Sequence, residues 1–391
     1  MTENAISQDT SAAHRTGDQT PVAVQPTPLA RLLTSTAAKP ELIASYGART
    51  PLKLDAPGTE TAALVSRAAV HDLGWLRRVA VRGEDRFRWL SGMVTNAVND
   101  LGENAGAWNL VLNAQGRIQG DLNVWREGET LELEVAANQY DRLLAHFERF
   151  IIMDDVELVP LSLDSNGELT GETALGVTGP RAAEILVGLG LMKLDEPLTS
   201  TRAQWNGAEI RVVRAYGVLV PHYELWVQAA QIPSLWRSLV EAGATPVGGA
   251  AVEAMRIAEG IPVYGIDIAE RDLPQETSQM RALSFSKGCY LGQEIVERIR
   301  SRGNVHRHLR PLEIFGPIPA AGVELTLGNG AVAGQITSAA ELPLATGTRI
   351  FALGMIRADA EISTQSFTYA AGEVTATACI LARPPELNRA N

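Results

Sequence analysis

The pattern of apolar and polar positions divides the chain into regions, the first of which becomes compact near Leu64. The stretch LRRVAVRG alternates weakly and predicts a strand, and further strands are predicted at AWNLVLN and at IQGDLNVWREGETLELEVA, which turns at REGET. Two other stretches have apolar residues at spacings of three and four, which indicates helices. These are EDRFRWLSGMVTNAV, with Phe87, Leu90 and Val94, and YDRLLAHFERFII, with Leu143, Phe147 and Phe150. We therefore predict an α+β domain over residues 61–165.

A second region opens near Leu169. TALGVTG predicts a strand and PRAAEILVGLG a helix, with Pro180 as a first helical residue and Gly190 as its stop. The strands AEIRVVRAYG and HYELWVQA follow, and then the helix IPSLWRSLVEAG. This β-α-β-β-α order is typical of a ferredoxin-like α+β domain, which we place at residues 166–244. A further helix is predicted at GAAVEAMRIAEG.

Short β-type runs begin near Arg310 and are separated by the turn sequences GNG and GPIPAAG. They predict a C-terminal β-barrel over residues 305–386. At the other end, residues 1–27 are rich in Ser, Thr, Ala and Gln without a hydrophobic period, and we expect a disordered tail. Residues 28–60 are interpreted as a helical lead-in, formed by LARLLTST and PELIASYG, and a linker, ARTPLKLDAPGTETA.

Composition limits the classes of function. The net charge of −11 argues against a general polyanion binder, so we expect no nucleic-acid partner. No stretch approaches the roughly 18 apolar residues of a membrane span, and no secretory signal is recognised, so we expect no membrane partner. The two cysteines, Cys289 and Cys379, suit a reducing cytoplasm and cannot supply the four thiolates that usually hold an iron–sulfur cluster.

One short motif, KGCYLGQE from Lys287 to Glu294, combines a cysteine, a lysine and two glycines. Leu291, Ile295 and Ile299 recur every four residues after it and predict a helix that starts near Gly292. Because a helix N-terminus and a lysine both favour a thiolate, Cys289 is a candidate reactive thiol. The alternative is a small buried hydrophobic residue at the helix entry.

A basic segment, RIRSRGNVHRHLR, follows directly and contains five arginines, two histidines and no acidic residue. It predicts either a site for carboxylates or phosphates or an ordinary solvated face. His306 and His308 share one side of a strand, where an exposed face is a simpler interpretation than a metal pair, and we predict no metal site. His71 is interpreted as structural. Sequence signatures of nucleotide loops, serine hydrolases and zinc peptidases are absent.

KGCYLGQEIVERIRSRG resembles the signature of the YgfZ-type folate-binding proteins, which serve iron–sulfur cluster maintenance. The resemblance extends to MRIAEGIPVYGIDIAERDLPQET and to GQITS and FALGMIR in the predicted barrel. These proteins are similar to the T-protein of the glycine cleavage system, a tetrahydrofolate-dependent aminomethyltransferase. VHDLGWLRRVAVRGEDRFRWLSGMVTNAVNDL and LVLNAQGRIQGDLNVW resemble the amino-terminal part of that superfamily, so the resemblance covers roughly residues 60–385.

The resemblance implies a three-domain α+β cloverleaf around a central channel that holds folate. It implies that residues 245–300 complete the first domain, and that the arginine cluster forms a cationic rim for the glutamate tail of folate. The implied cofactor is tetrahydrofolate or a derivative. The implied partners are iron–sulfur client or assembly proteins, and we expect a cytoplasmic monomer. Cys289 and Lys287 are the implied functional pair, with the thiol at the mouth of the cavity as a cluster ligand or a redox group.

Candidate folate-binding residues follow from the same resemblance, and they are Asp121, Glu224, Arg256, Gly288, Tyr290, Gly292, Gln293, Glu294 and Arg302. The chain departs from the aminomethyltransferase pattern in three places. Gly120 replaces the first of two paired aspartates, the acidic turn has become VLVPHYE, and one glutamate is displaced to Glu259. Because general acid–base catalysis needs positioned carboxylates, the resemblance favours an accessory protein over an aminomethyl or methyl transferase. Whether the chain is an enzyme at all is left open.

Overall fold

The structure is a computed structural model that describes residues 24–36, 39–303 and 305–387. The described residues contain nine α-helices, which are α1 (Pro28–Thr34), α2 (Pro57–Ser66), α3 (Arg86–Met93), α4 (Ala137–Glu148), α5 (Ala182–Gly188), α6 (Ile232–Glu241), α7 (Gly249–Ala258), α8 (Gln293–Arg302) and α9 (Ala358–Ser363). None of these helices is long and apolar enough to cross a membrane.

The strands of the same residues, in chain order, are β1 (Leu42–Ser45), β2 (Ala48–Pro51), β3 (Ala69–Asp72), β4 (Leu76–Arg82), β5 (Gly106–Leu112), β6 (Ile118–Glu127), β7 (Thr130–Ala136), β8 (Glu157–Pro160), β9 (Glu172–Thr178), β10 (Thr199–Trp205), β11 (Ala208–Ala215), β12 (His222–Gln228), β13 (Thr245–Pro246), β14 (Arg307–Phe315), β15 (Glu324–Thr326), β16 (Val332–Leu344), β17 (Gly347–Arg357), β18 (Ser366–Ala371) and β19 (Val374–Ile380). The sequence pattern missed β10, which alternates too weakly to be recognised.

The lead-in before the first sheet differs from its prediction. PELIASYG was expected to be helical, and this interpretation is wrong because β1 and β2 form an antiparallel hairpin. Tyr46 and Gly47 both have positive φ, at 51° and 86°, as a tight hairpin turn requires. The interval interpreted as a linker contains β2 and the start of α2. There the Glu60 carboxylate accepts backbone N–H groups of Leu54 and Gly248 at 2.6 and 3.0 Å.

Residues 1–23 of the expected disordered tail lie outside the described residues. The last part of that interval is ordered, because the N–H of Thr27 donates to the carbonyl oxygen of Arg49 at 3.0 Å. The Thr27 hydroxyl then caps α1 by accepting the N–H of Ala30 at 3.0 Å. The segment that leads into the fold therefore pairs with β2 through its backbone.

The first sheet is antiparallel and has the strand order β5-β6-β7-β4-β8. Helices α3 and α4 cover one face, where Leu90, Val124 and Phe147 share a core. The other side of β5 and β6 is covered by the chain that returns after α7, since Tyr290 and Val296 pack in one cluster with Leu110. From Ile118 to Val124, buried and half-buried residues of β6 alternate, as expected for a strand with two different faces.

The second sheet has the strand order β10-β11-β12-β9-β3-β13 and is antiparallel except for the β3–β13 pair. Helices α5 and α6 pack on it around Leu175, Leu186 and Leu235. Strand β3 precedes the first sheet in the chain but pairs with β9 in the second, with Val70 opposite Val177. The two sheets are therefore interlocked by the path of the chain.

A buried ionic cluster joins the two sheets. Arg78 on β4 donates to Glu132 and Glu134 on β7 at 2.7 and 3.0 Å. Its guanidinium also lies 4.2 Å from the ring centre of Trp226 on β12. Arg211 on β11 donates to the same Glu132 carboxylate. These contacts fix the walls of the space between the sheets.

The C-terminal strands close a six-stranded barrel in the order β14-β17-β16-β15-β18-β19, as the sequence predicted. Its interior contains Leu312, Phe367 and Tyr369. Helix α7 packs against the outside of the barrel, where Met255 shares a cluster with Phe351.

Candidate functional site

A cavity of about 300 Å³ lies between the two sheets, the β1–β2 hairpin and α7. Its walls combine flat aromatic rings with charged groups, represented by Tyr46, Trp108, Asp121, Glu224 and Arg256. Three of the nine residues predicted to bind folate, namely Asp121, Glu224 and Arg256, therefore line one space although they lie far apart in the chain. This combination of apolar walls and few polar groups is typical of small-molecule sites.

Asp121 enters the cavity because β6 alternates. The side chains of Leu122 and Val124 point into the core under α4, and Asp121 points the other way. Its Oδ1 accepts the Gln139 amide at 2.8 Å, and its Oδ2 accepts the Trp108 indole N–H at 3.0 Å. Burial raises the pKa of Asp121, whereas these two hydrogen bonds oppose the rise. The carboxyl group is therefore held in the cavity by two fixed donors.

Gly120 replaces the first of the two paired aspartates that the resemblance led us to expect. It faces away from the cavity. A Cβ atom there would lie 2.7 Å from Gln139 Oε1 and 2.9 Å from Leu143 Cδ2. A side chain at residue 120 would therefore have to displace the Gln139 amide and the Leu143 side chain, which pack against Gly120. Gly120 is thus matched to the packing of α4 on β6.

Glu224 on β12 lies deeper between the sheets. Its Oε2 accepts the indole N–H of Trp226 at 2.8 Å. Burial raises the pKa of Glu224 well above its ordinary value, and the charge of the neighbouring Glu134 raises it further. Glu134 is itself held by Arg78 and by the indole N–H of Trp125 at 3.1 Å. The Glu224 carboxyl group therefore favours its protonated form.

Arg256 on α7 is already engaged by protein groups. It donates to Glu253 at 2.9 and 2.5 Å and to Asp267 at 2.8 Å. The Tyr46 hydroxyl donates to the same Glu253 at 2.5 Å. Burial and the Glu253 charge raise the pKa of Tyr46, so it stays protonated as a donor. Arg256 therefore shapes the cavity wall rather than offering a free cation.

Four residues form a hydrogen-bonded row along another wall. His71 Nε2 lies 3.0 Å from the Thr178 hydroxyl, which lies 3.2 Å from His222 Nδ1. His222 Nε2 lies 3.0 Å from Glu259 Oε1. Burial, followed by the neighbouring His222, lowers the pKa of His71 to about 3, so His71 is neutral near pH 7. His71 is thus hydrogen-bonded in a cavity wall, and its structural role stays a prediction.

Glu259 also orders the loop between β11 and β12. Its Oε1 accepts the backbone N–H groups of Val218, Leu219 and Val220 at 3.2, 2.9 and 3.4 Å. This loop is the VLVPHYE turn whose acidic residue was missing from the sequence pattern. A carboxylate is thus supplied to the turn from the end of α7. The loop begins after Tyr216, a residue of the cavity wall.

The KGCYLGQE motif lies outside the cavity lining. Lys287 Nζ donates to the carbonyl oxygens of Ser91, Val94 and Asn96 at 2.6, 2.6 and 2.9 Å. Burial lowers the pKa of Lys287 to about 8, while the three carbonyl dipoles favour its ammonium form. The lysine therefore anchors the loop and does not contact the thiol of its neighbour.

Cys289 is exposed, which overturns the alternative of a buried hydrophobic residue. Its sulfur is not among the groups that line the cavity, so the expectation of a thiol at the cavity mouth is not met. The buried member of the motif is Tyr290. Gly288 is exposed, while Gln293 and Glu294 begin α8; neither they nor Tyr290 line the cavity.

Gly292 is needed for the backbone rather than for a ligand. It caps α8 with φ of 81°, a left-handed conformation that favours glycine. A Cβ atom at this position would lie 2.5 Å from the carbonyl oxygen of Asn113 and 3.0 Å from Gly116 Cα. The close approach that the glycine suggested is therefore to another backbone segment.

The arginine cluster does not form the expected rim, because its members are spread over α8 and the barrel and none lines the cavity. Arg300 stacks 4.3 Å from the centre of Phe285, and Arg307 pairs with Asp272 and Glu276 at 2.7 and 3.0 Å. Arg302 is exposed on α8.

His308, one of the two histidines of the basic segment, contacts Glu361 at 2.9 Å. Within the described residues no group of acidic, histidine and cysteine side chains has metal-site geometry.

Comparisons with known proteins identify the family. The sequence profile of the GCVT N-terminal domain matches residues 36–287, which is more than half of the 391 residues. The chain belongs to the GCVT family. An aminomethyltransferase of Rubrobacter xylanophilus is 30% identical over 309 residues, which cover 77% of this chain and 80% of that protein. One of Caldanaerobacter subterraneus subsp. tengcongensis is 24% identical over 302 residues, covering 74% and 77%.

The fold is also that of a GCVT-family protein of known structure. The glycine cleavage system aminomethyltransferase T of Bartonella henselae superposes with a TM-score of 0.81 at 18% identity, covering 93% of this chain and 98% of that chain. This similarity confirms the predicted T-protein architecture with its C-terminal barrel. The narrower YgfZ-type assignment stays a prediction.

Several cavity residues of this GCVT-family chain were not recognised from its sequence. They are Trp108, Gln139, Tyr216, His222 and Arg281. Each lies on a different element, so no local spacing connects them. These polar side chains reach the cavity through tertiary packing, which the sequence does not show. An alternating strand such as β6 is the one kind of element whose sequence could have indicated which side chains face the cavity.

Proposed function

We propose that the chain binds a reduced folate in its cavity and acts as an accessory protein in the assembly or repair of iron–sulfur enzymes. The observation that carries the folate part is the meeting of Asp121 and Glu224 in one cavity with aromatic walls. Membership of the GCVT family supports the same ligand class. The accessory role is supported by the exposed Cys289 and by the resemblance of its motif.

The cavity suits a reduced pterin on physical grounds. A pterin presents adjacent ring N–H and amino donors along one edge, and buried carboxyl groups are suitable acceptors for such donors. Glu224 and Asp121 are the carboxyl groups that would accept them, while Tyr46 and Trp75 are aromatic residues of the same cavity wall. A volume of about 300 Å³ lies at the small end of ligand cavities, as a bicyclic ring requires.

Cys289 suits a role toward another protein. Its thiol is exposed, and its loop is fixed by Lys287 on one side and by buried Tyr290 on the other. A thiol on a fixed loop can be offered to an iron–sulfur client or assembly protein without disturbing the cavity. Toward such a partner the thiol can act either as an iron ligand or as a redox group.

The test uses two variants in one design. Calorimetric titration with tetrahydrofolate should give binding for the wild type and for Cys289→Ser, and weaker binding for Glu224→Gln. In cells that lack the protein, iron–sulfur enzyme activities should be restored by the wild type and not by Cys289→Ser. Absence of both heat and thermal shift with the wild type would refute folate binding. Full restoration by Cys289→Ser would refute the role of the thiol.

A second candidate is a folate-dependent transferase of the aminomethyltransferase type. It is favoured by Asp121, which occupies the cavity with two fixed hydrogen-bond donors, and by the names of the relatives. Purified protein would then turn over an aminomethyl or methyl donor in the presence of tetrahydrofolate, and Asp121→Asn would abolish the turnover. Absence of turnover with every such donor would favour the accessory role over the transferase.

A further inference from the structure

Arg281 is held in the cavity wall between two aromatic rings. Its guanidinium carbon lies 4.3 Å from the ring centre of Trp108 and 3.9 Å from that of Tyr216. Stacking of this kind fixes the plane of the guanidinium without using its N–H donors. Within the part of the chain that the structure describes, Nε is the one guanidinium nitrogen that donates a hydrogen bond, to the Oε1 of Gln279 at 3.1 Å. Nη1 and Nη2 therefore have no hydrogen-bond partner among the described residues.

The arginine is positioned before any ligand binds. Its carbonyl oxygen accepts the side-chain amide of Asn96 at 2.8 Å, and the next carbonyl, of Ala282, accepts the hydroxyl of Thr95 at 2.7 Å. Tyr216 on the other side leads into the loop that Glu259 holds through three backbone N–H groups. A fixed donor pair of this kind lowers the ordering cost of binding.

Among the described residues, Arg281 makes no ion pair within 4.0 Å, although the Asp121 carboxylate attracts its charge from farther away. Each oxygen of Asp121 already accepts one hydrogen bond, from Gln139 and from Trp108. Burial lowers the pKa of Arg281 to about 10, so it remains a cation near pH 7. A partly buried cation without a partner is costly unless an anion joins it.

We propose that Arg281 is an anion subsite of the cavity that binds a carboxylate group of the ligand. Two parallel N–H donors of a guanidinium match the two oxygens of a carboxylate. The nearby Asp121 repels a dianion more than a monoanion, which favours carboxylate over phosphate. This inference rests on the proposed function for the identity of the main ligand. The carboxylate comes either from the tail of folate or from a separate small acid in the same cavity.

The experiment compares ligands with and without carboxylates. Dissociation constants are measured by tryptophan fluorescence for tetrahydrofolate and for a methyltetrahydropterin that lacks the glutamate tail. If the tail occupies the subsite, Arg281→Gln weakens tetrahydrofolate by about tenfold or more and leaves the tail-less pterin unchanged. If a separate acid occupies it, Arg281→Gln instead weakens acetate or glycine titrated into the pterin complex. Both results support the subsite.

Two further variants sharpen the test. Arg281→Lys keeps the charge but loses the planar fork, so its affinity should fall between those of the wild type and Arg281→Gln. Arg142→Gln is the matched control, because Arg142 also stacks on a ring, that of Tyr264 at 4.8 Å, but does not line the cavity. Unchanged binding of every carboxylate in folded Arg281→Gln would overturn the inference. Failure of the wild type to bind either pterin would refute the proposed function instead, and acetate and glycine titrated into the free protein and into free Arg281→Gln would still decide the subsite.

Discussion

The ammonium group of Lys287 lies 2.6 Å from the carbonyl oxygen of Ser91, in the last turn of α3. The last carbonyl groups of a helix have no partner within it and need other donors. Lys287 supplies those donors to Ser91 and Val94 and extends to Asn96. The lysine of the motif therefore caps a helix of the first region and attaches the cysteine loop to it.

Replacing this lysine should loosen the end of α3. Lys287→Met keeps the aliphatic stem but leaves the carbonyl oxygens without donors, which should lower the free energy of unfolding by about 3 kcal/mol. Amide hydrogen exchange over residues 88–96 should quicken, and the melting temperature should fall. Lys53→Met, at an exposed position, is the control and should change neither. Unchanged exchange in Lys287→Met would mean that the three hydrogen bonds do not hold the loop.

Local patterns were sufficient where a single element buries one face. Strand β6 shows this, because the sequence predicted a strand there and the structure has one, with Leu122 buried and Asp121 half-buried. The start of α8 at Gly292 was also predicted, since the glycine and the apolar spacing after it act within one turn. The hairpin at Tyr46 escaped, because a short apolar run that ends in Tyr-Gly fits a helix end as well as a hairpin turn.

Gly292 and Gly288 provide a matched pair within the motif. Gly292→Ala should destabilise the protein by about 2 kcal/mol, because the residue has positive φ and its Cβ would lie 2.5 Å from the Asn113 carbonyl oxygen. Gly288→Ala should be neutral, since nothing lies within 4 Å of its Cβ position. Thermal denaturation of the two variants checks this difference. Equal melting temperatures would show that the backbone approach at Gly292 is not required.

The cavity itself depends on tertiary packing that no local pattern contains. Asp121 was proposed from resemblance, but its partners Trp108 and Gln139 come from a neighbouring strand and a helix. The basic segment misled the prediction for a related reason. Its charge is dense along the chain, yet folding separates Arg302 on α8 from Arg310, which pairs with Glu361 in the barrel region. Charge density in sequence therefore did not become charge density at the site.

The buried carboxyl group of Glu224 should lower the free energy of unfolding of the protein as the pH rises. Its pKa is raised by burial and then by Glu134, so the folded state keeps its proton after the unfolded state has lost it near pH 4.5. Above that pH the folded state binds more protons, and stability falls by up to about 1.4 kcal/mol per pH unit until the folded-state pKa is passed. Glu224→Gln removes this loss. The variant should melt at a higher temperature than the wild type at neutral pH.

The measurement is a series of melting curves from about pH 4 to about pH 8. The advantage of Glu224→Gln should be absent at the acid end, where the wild-type carboxyl is protonated in both states, and should grow toward neutral pH. Glu148→Gln, exposed on α4, is the control and should follow the wild type throughout. An advantage that is the same at every pH would attribute the effect to packing rather than to ionisation.

Asp267 connects the cavity wall to the barrel. Its Oδ1 accepts the hydroxyls of Thr337 and Ser338 on β16, both at 2.6 Å, and its Oδ2 accepts Arg256 at 2.8 Å. Asp267→Asn should lower the free energy of unfolding by about 3 kcal/mol, because it leaves the buried Arg256 with one carboxylate fewer. The two hydroxyls also lose an acceptor that was charged. Amides around Ser338 should then exchange faster with solvent.

The matched control is Asp359→Asn, which breaks an exposed ion pair with Arg357 at the edge of the same barrel and should leave melting and exchange unchanged. Ligand affinity provides a second measurement. Since Asp267 and Glu253 together orient Arg256 in the cavity wall, Asp267→Asn should weaken tetrahydrofolate, whereas Asp359→Asn should not. Faster exchange at Ser338 with unchanged affinity would mean that the barrel is held by Asp267 but that the cavity is shaped without it.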